Sequence, residues 1–363
     1  MVIPSFYPVE GGAERQLKLL CDTVKDLDNN IFLEVVTRSI HGQPFKEKNE
    51  IFSLTRLKTA LYPYDFLIRL AHHVIVRRKN IDIIHVHTLN SPAWLCAIIG
   101  KIFGIKTIVK VPRSGDGSRL DSMSSNLAYK IVSQVFFRLV SKVVAITDDI
   151  SQGLRNAGCP YSKITKIPNG VLISPTSKMP KNRDKILCVC VGRLIERKKV
   201  EELIDIWKYD TINQNFDLAI IGDGPEFSRI SEKISRFKLE RSCKLYGALS
   251  QGEVFQLLSE AKIFVHPSVS EGLSNALLEA MSKGNAIIAR DIPANREILS
   301  KGRAGKLFKN VDNVNEMLLE YLENLDNLAA HSEGARRIIS EHYSIEIVSK
   351  KYVDLYIRLT KLH

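Results

Sequence analysis

One pattern limits what this chain can become: short β-branched and aliphatic runs alternate with amphipathic stretches along almost its whole length. The first four runs are FLEVVT (32–37), IDIIHVHT (81–88), KTIVKV (106–111) and KVVAIT (142–147). Runs this apolar are buried on both faces, which for strands means a parallel sheet with helices on either side. After IPNGV (167–171) the alternation breaks in LISPTSKMPKNRDK, which has two prolines and no periodicity and reads as a linker. It then restarts with ILCVCVG (186–192), FDLAIIG (216–222), CKLYG (243–247), KIFVHPS (262–268) and NAIIAR (285–290). The expected fold class is α/β, two tandem Rossmann-like doubly wound domains facing an interdomain cleft. The expected divisions are an N-terminal domain over 1–170, a linker over 171–184, a C-terminal domain over 185–342 and a closing helix over 343–363 packing across the seam.

Composition agrees with a globular protein, at 45% apolar and 25% charged residues. The longest candidate membrane span, residues 91–112, is cut by Lys101, Lys106 and Lys110, too often to cross a bilayer. No charged segment followed by an apolar core stands at the N-terminus, so the expected location is the cytoplasm. The six cysteines are scattered through apolar segments with no CxxC and no zinc spacing; they read as buried thiols. The net charge of +12 is uneven, with 23 Lys and Arg against 14 Asp and Glu in residues 1–170. A basic first half suits an anionic partner: a phosphate-bearing substrate, an acidic membrane face or a nucleic acid. The RRK cluster at 77–79 also suits the end of a helix, where cations complement the macrodipole.

The most informative stretch is HPSVSEGLSNALLEAMSKG, residues 266–284. It sets Glu271 eight positions before Glu279, and Glu279 lies inside a run of Ala, Leu and Met. A carboxylate in a helix made for burial needs a partner. In open parallel sheets, ligands bind beyond the carboxyl ends of the strands, where loops lead into helix N-termini. Here KIFVHPS is the strand, VSEG the loop, Ser274 or Asn275 the helix N-cap, and Gly284 the residue past its end. Amides around Ser274, Asn275 and Ala276 are placed to hold a phosphate, and Glu279 to accept two hydrogen bonds from a ribose diol. VGRLIERKK (191–199) adds Arg193 and Lys198 after another strand, where cations reach a diphosphate.

With these residues in place, the chain resembles the family 4 glycosyltransferases of the GT-B fold over nearly its whole length. The resemblance rests on GGAERQL, IDIIHVHT, VVAIT, IPNGV, VGRLIERKK, IIGDGPE, LYGALS, EGLSNALLEAM and HYSIEIVSKKYVDLY. It implies a transferase moving a sugar from a nucleotide-diphosphate donor to an acceptor with retention of anomeric configuration. It implies that Glu279 meets the ribose, that Glu271 lies near the donor sugar, and that backbone amides at Ser274 and Asn275 meet the diphosphate or sugar. Two departures stand out. Many members carry a histidine after the strand matching KTIVKV, where this chain reads KVPRSGDG; Arg113 and Asp116 are the candidates for that region. The glycine that often follows the family lysine is Lys199 here.

In the first half, Gly11 and Gly12 form a glycine loop after the first strand and are expected to help bind the nucleotide sugar, and His87, an acceptor-side candidate, stands near a strand end within reach of the cleft. His85, two residues earlier on the same strand face, suits a polar-core role. The expected chemistry is positioning and charge stabilisation: Arg193, Lys198 and the helix N-terminus stabilise the departing diphosphate, and Glu271 orients the sugar. The two cations are expected to matter more for turnover than for stability. No metal or other cofactor is expected, because the one Asp-x-Asp, at 26–28, ends a helix pattern. The expected partners are a nucleotide-sugar donor, a carbohydrate or lipid-linked carbohydrate acceptor and an anionic membrane surface, with no nucleic acid.

Three other readings compete. A nicotinamide enzyme would use the G-x-G of IIGDGPE, but position 227 is Phe where the third glycine belongs. A GT-B epimerase or phosphorylase would turn over nucleotide sugar without an acceptor. A basic nucleic-acid-binding protein would show salt-dependent oligonucleotide binding and no donor binding. Only Met1, Val2 and Ile3 precede Pro4, fewer residues than a typical strand. From that shortness, a native start a few residues upstream is expected.

Overall fold

The apolar runs become parallel strands, and three weaker segments join them in the first half. In the computed structural model, residues 1–363 are described apart from 10, 40–42, 49, 60–61, 114–118, 125–126, 174–183 and 362–363. Two units emerge: Met1–Gly170 with Ile345–His363, and Val171–Ser344. Most of the expected linker, and the candidate Asp116, lie outside the described residues.

The strands of the first unit are β1 (Glu34–Arg38), β2 (Lys46–Lys48), β3 (Ser53–Leu57), β4 (Ile83–Val86), β5 (Lys106–Val111), β6 (Lys142–Ala145) and β7 (Ile164–Lys166). Val2 bridges in parallel to Val36 of β1 and to Val86 of β4. It thereby joins the row β2-β3-β1 to the row β4-β5-β6-β7. The first segment is thus central, as a doubly wound sheet requires. β3 escapes a pattern reading because Arg56 interrupts it, yet this arginine is 4% exposed. Its guanidinium donates to the carbonyls of Pro44 at 3.0 Å and Tyr7 at 2.9 Å and pairs with Glu47. β2 is antiparallel to β3, exposed and reads Lys-Glu-Lys, the charged kind of strand that protects a sheet edge.

Five helices of this unit precede β6: α1 (Gly12–Leu27), α2 (Tyr64–Arg77), α3 (Ser91–Phe103), α4 (Arg119–Ser124) and α5 (Leu127–Leu139). α3 ends at Gly104 in the left-handed conformation, φ 74°, and β5 follows, so the longest apolar stretch is split. Among the described residues no helix is long and apolar enough to cross a membrane.

The closing helix, Ile345–Thr360, is part of the first unit rather than a separate element, and the unit boundary falls after Ser344. Its Val348, Tyr352, Leu355 and Leu359 pack with Leu20 and Val24 of α1 and with Ile108 and Val144 of the sheet. A polar anchor sits among them: Tyr356 Oη lies 2.8 Å from His85 Nδ1, both groups buried. This is the polar-core role expected of His85.

The second unit is a six-stranded, wholly parallel sheet. Its strands are β8 (Ile186–Val191), β9 (Phe216–Ile221), β10 (Cys243–Leu245), β11 (Ile263–His266), β12 (Ala286–Arg290) and β13 (Gly305–Phe308). They run in the order β10-β9-β8-β11-β12-β13. Trp207, Phe216, Phe308 and Tyr321 fill the core beside Cys188 and Cys190.

All six cysteines are free and buried. Burial pushes the Cys21, Cys96 and Cys190 thiols up to about 12, far from the thiolate form that reacts. A disulfide-exchange reagent at pH 8 is expected to detect essentially no thiol in the native protein and all six in denaturant. Rapid native labelling would contradict this packing.

Candidate functional site

In the second unit the chain lays down β8, moves outward through β9 and β10, then returns to the other side of β8 with β11. The crevice between the ends of β8 and β11 is therefore the topological switch point, where open parallel sheets bind ligands. Two loops meet there. One follows β8 through Gly192, Arg193 and a short 3-10 turn, Glu196–Lys198. The other follows β11 through residues 267–273 into the helix Asn275–Ser282.

Backbone and side chain tie the loops together. Val269 donates its amide to the Arg197 carbonyl at 3.0 Å, and Arg197 Nη1 donates to the Ser270 carbonyl at 2.8 Å. The Glu271 carboxylate pairs with the Lys198 ammonium. Arg197 Nη1 stands 3.7 Å from its other oxygen, and His266 Nε2 stands 3.7 Å from Oε1. Only 11% of the Glu271 side chain and 13% of the Lys198 side chain are exposed. Burial works to raise the Glu271 pKa, but the Lys198 and His266 charges and hydrogen bonds from Lys198 and Ser268 outweigh it, and the carboxyl falls below its ordinary value. Burial takes His266 to about 4 despite Glu271; it is neutral near pH 7. The site is thus an ion pair beside a neutral imidazole.

Lys198 was expected to answer a diphosphate and to matter more for turnover than for stability. In the structure it also compensates a buried carboxylate, which gives it a structural role as well. Arg193, earlier in the same loop, is exposed. Lys199, where relatives of the motif often carry glycine, has φ 50°. That left-handed conformation is disfavoured for a lysine by about 1–2 kcal/mol.

The two glycines of IIGDGPE have a structural use here. Gly222 has φ 140°, and a Cβ built on it would lie 1.9 Å from the Gly192 carbonyl oxygen; Gly224 has φ 156° and faces the Leu194 carbonyl in the same way. They let the loop after β9 press against the loop after β8, so this G-x-G shapes the cation loop instead of forming a dinucleotide fingerprint.

Ser274 is the N-cap, its hydroxyl accepting from the Leu277 amide at 3.4 Å. The amides of Asn275 and Ala276 complete the first turn. Glu279 lies one turn in from Asn275 and is 7% exposed, among buried Leu277, Leu278, Ala280 and Met281. Lys198, Glu271, Ser274, Asn275, Ala276 and Glu279 therefore belong to one pair of loops and the helix that follows. Arg197 and His266 are the members the sequence reading did not assign. Three consecutive cations at 197–199 and a histidine ending a strand were the available signals, and neither distinguishes a loop clamp from a solvated surface.

The remaining candidates lie in the first unit, around its own switch point. Gly11 caps α1, which Gly12 begins. His87 follows β4; it is 3% exposed, its ring centroid is 4.1 Å from that of His85, and burial pushes its pKa well down. Arg113 follows β5 and is half-buried. Among the described residues no group of three or more His, Cys, Asp or Glu is arranged to hold a metal.

Comparison with known proteins agrees in both halves. Residues 10–174 match the family model described as Glycosyltransferase Family 4, and residues 176–338 match that described as Glycosyl transferases group 1. The chain is 22% identical to the phosphatidylinositol N-acetylglucosaminyltransferase GPI3 subunit of Saccharomyces cerevisiae over 99% of this chain and 82% of that one. It superposes on Alr3699/HepE of Anabaena, solved with UDP and glucose, with a TM-score of 0.78 at 17% identity, covering 98% of this chain and 97% of that one. It superposes on WaaG, a glycosyltransferase involved in lipopolysaccharide biosynthesis, with a TM-score of 0.72 at 15% identity, covering 98% of each chain.

Two outcomes follow from the loop geometry. Lys198→Met should destabilise the protein by about 3–5 kcal/mol, because it strands the Glu271 charge, and adding Glu271→Gln should recover much of that loss. Thermal melts of both singles and the double measure it, and additive losses would refute the coupling. The Glu271 contribution is full above the ordinary carboxylate pKa and is lost as pH falls through its depressed folded value. Gly222→Ala should cost about 2 kcal/mol or more through strain against Gly192; an unchanged melting temperature would contradict the close approach.

Proposed function

The chain belongs to the family 4 glycosyltransferases, retaining GT-B enzymes that take a sugar from a nucleotide-sugar donor, and from that premise we propose how its residues divide the work. The observation that carries the proposal is the pairing of Lys198 with Glu271 at the β8/β11 switch point, directly before a helix N-terminus. Glu279 accepts hydrogen bonds from the ribose hydroxyls. The helix start at Ser274, Asn275 and Ala276 receives the diphosphate, joined by Arg193 from the opposite loop. As the bond from the anomeric carbon to the diphosphate breaks, negative charge grows on the leaving oxygen. Arg193, Lys198 and the helix dipole stabilise that charge. Lys198 serves both sides, holding Glu271 in the ground state and answering the diphosphate as it departs.

Glu271 orients the sugar and stabilises the positive charge developing on its ring. Eight positions separate Glu271 from Glu279, which is assigned to the ribose, so this reading uses no pair of carboxylates acting as nucleophile and acid. The acceptor hydroxyl enters on the face the diphosphate leaves, and the leaving phosphate takes its proton. No metal enters any of these steps. Gly11 and Gly12 join in binding the nucleotide sugar, and His87 and Arg113 serve the acceptor side.

The acceptor we favour is a growing lipid-linked or surface polysaccharide, met at the cytoplasmic face of a membrane by the basic first half. Two of the similar proteins have names that fit this class, one acting with phosphatidylinositol and one in lipopolysaccharide biosynthesis. The solved complex with UDP and glucose makes a UDP-sugar the first donor to try.

Calorimetry with UDP, GDP and ADP sugars tests the donor assignment. Glu279→Gln should weaken donor binding by about 1–3 kcal/mol, since an amide offers a single acceptor oxygen to the diol. Arg193→Ala should lower kcat by about 10²–10³-fold with little change in melting temperature, as its side chain is exposed. Undiminished donor affinity in the first variant, or full turnover in the second, would remove that residue from the site.

A further inference from the structure

The two sides of the first unit's sheet are dressed differently. α1 and the helix Ile345–Thr360 pack together on one side. They carry six Lys and Arg against five Asp and Glu, and Leu27 is their one exposed large apolar residue. Right-handed crossovers put α2, α3 and α5 on the other side, where α3 touches both α2 and α5. Eleven of the 24 exposed large apolar side chains among the described residues lie on these three helices.

The exposed residues form ridges at helical spacing, opposite the buried faces. α2 presents Ile68 and Val76, α3 presents Ile98 and Ile102, and α5 presents Ile131 and Val135; Ile68 is 71% exposed and Ile102 is 68% exposed. Cations are interleaved with them: Arg69 on α2, Lys101 on α3, and Lys130 and Arg138 on α5, against the single acid Asp65 on these helices; Arg77, at the end of α2, is answered by Glu34 at 3.2 Å. Arg78, just past α2, lies over the Phe103 ring at 5.4 Å, so the ends of α2 and α3 are joined.

We propose that the outer face of α2, α3 and α5 is a docking surface for an anionic lipid bilayer, with the aliphatic ridges entering the headgroup boundary and the four cations lying against lipid phosphates. This deepens the membrane-side reading of the acceptor above and rests on it; the donor chemistry does not depend on it. The pairing of aliphatic ridges with an excess of cations selects the occupant. A second copy of the chain on a two-fold axis would set four cations against four. A nucleic acid would answer the cations and leave Ile68, Ile102 and Ile131 in water. An anionic bilayer answers both, since buried apolar area and electrostatic attraction act together.

The test is flotation of the full chain with neutral phosphatidylcholine vesicles and with vesicles containing phosphatidylglycerol, at low and high salt. The wild type should float with the anionic vesicles only, and high salt should weaken this without abolishing it. The double variant Ile102→Asp, Val135→Asp should lose at least tenfold in partitioning, and Lys101→Glu about fivefold or more. Phe32→Asp, at a side chain 90% exposed outside these helices, should float as the wild type does. Melting temperature and nucleotide-sugar binding, measured on the same samples without lipid, should be unchanged in all variants. Equal flotation of wild type and the Asp double variant overturns the proposal. So does dimerisation of the lipid-free wild type that the double variant abolishes. Loss of sugar-nucleotide binding with flotation intact would count against the donor assignment and leave the docking surface standing.

Discussion

A buried carboxylate must have its charge answered, and in this protein that requirement organises the second unit. Glu271 sits at the end of the central strand pair with little solvent, held by Lys198 from the neighbouring loop. Neither residue would be tolerated there alone. The pair therefore fixes the two loops against each other, and Arg197 reinforces the join through the Ser270 carbonyl. The arrangement is held by the protein's own contacts, the preorganisation that electrostatic stabilisation requires. His266 stands beside the ion pair as a neutral group, contributing a dipole near Glu271 without a second positive charge.

That junction depends on backbones approaching closely. Gly222 and Gly224 leave no room for a side chain where the loop after β9 crosses the loop after β8. A glycine motif after a strand invites comparison with dinucleotide-binding turns, in which the backbone makes room for a pyrophosphate. Here the space is taken by the Gly192 and Leu194 carbonyls. The same residue pattern serves a protein contact, so the motif by itself says little about the ligand.

The parallel sheets and their switch points were legible because burial on both faces leaves unbroken aliphatic runs such as ILCVCV and IVKV. What escaped was carried by polar residues with private partners. β3 was hidden by Arg56, whose guanidinium is consumed by Pro44, Tyr7 and Glu47, contacts no local pattern reveals. β13 is four residues long and mostly half-buried, so its period is too short to read. At the site, Glu271, Glu279 and Lys198 stood out through their spacing and family resemblance. Arg197 and His266 did not: the role of Arg197 arises from a loop about 70 residues away in the chain folding back onto it, and that of His266 from the way its own loop turns Glu271 back beside it. The closing helix was recognised as amphipathic, but periodicity cannot say which unit its apolar face will cover.

That helix also explains two motifs outside the site, IPNGV and HYSIEI. The chain passes between units twice, after Gly170 and after Ser344. On the first unit's side, Gln16 holds Gly170 by both amide atoms, donating to its carbonyl at 2.8 Å and accepting from its amide at 2.9 Å. Asn169 accepts from the buried Lys110 at 3.0 Å. A Cβ on Gly170 would come within 2.9 Å of Ile345 Cα, so glycine is required where the outgoing chain passes the returning one. On the second unit's side, the Val171 amide donates to Tyr343 at 2.9 Å, and Val171 bridges to Ser344. Both passages are thus pinned side by side within each unit. A polar pair, one glycine and a two-residue bridge achieve this, which gives these segments a structural reason to read as motifs.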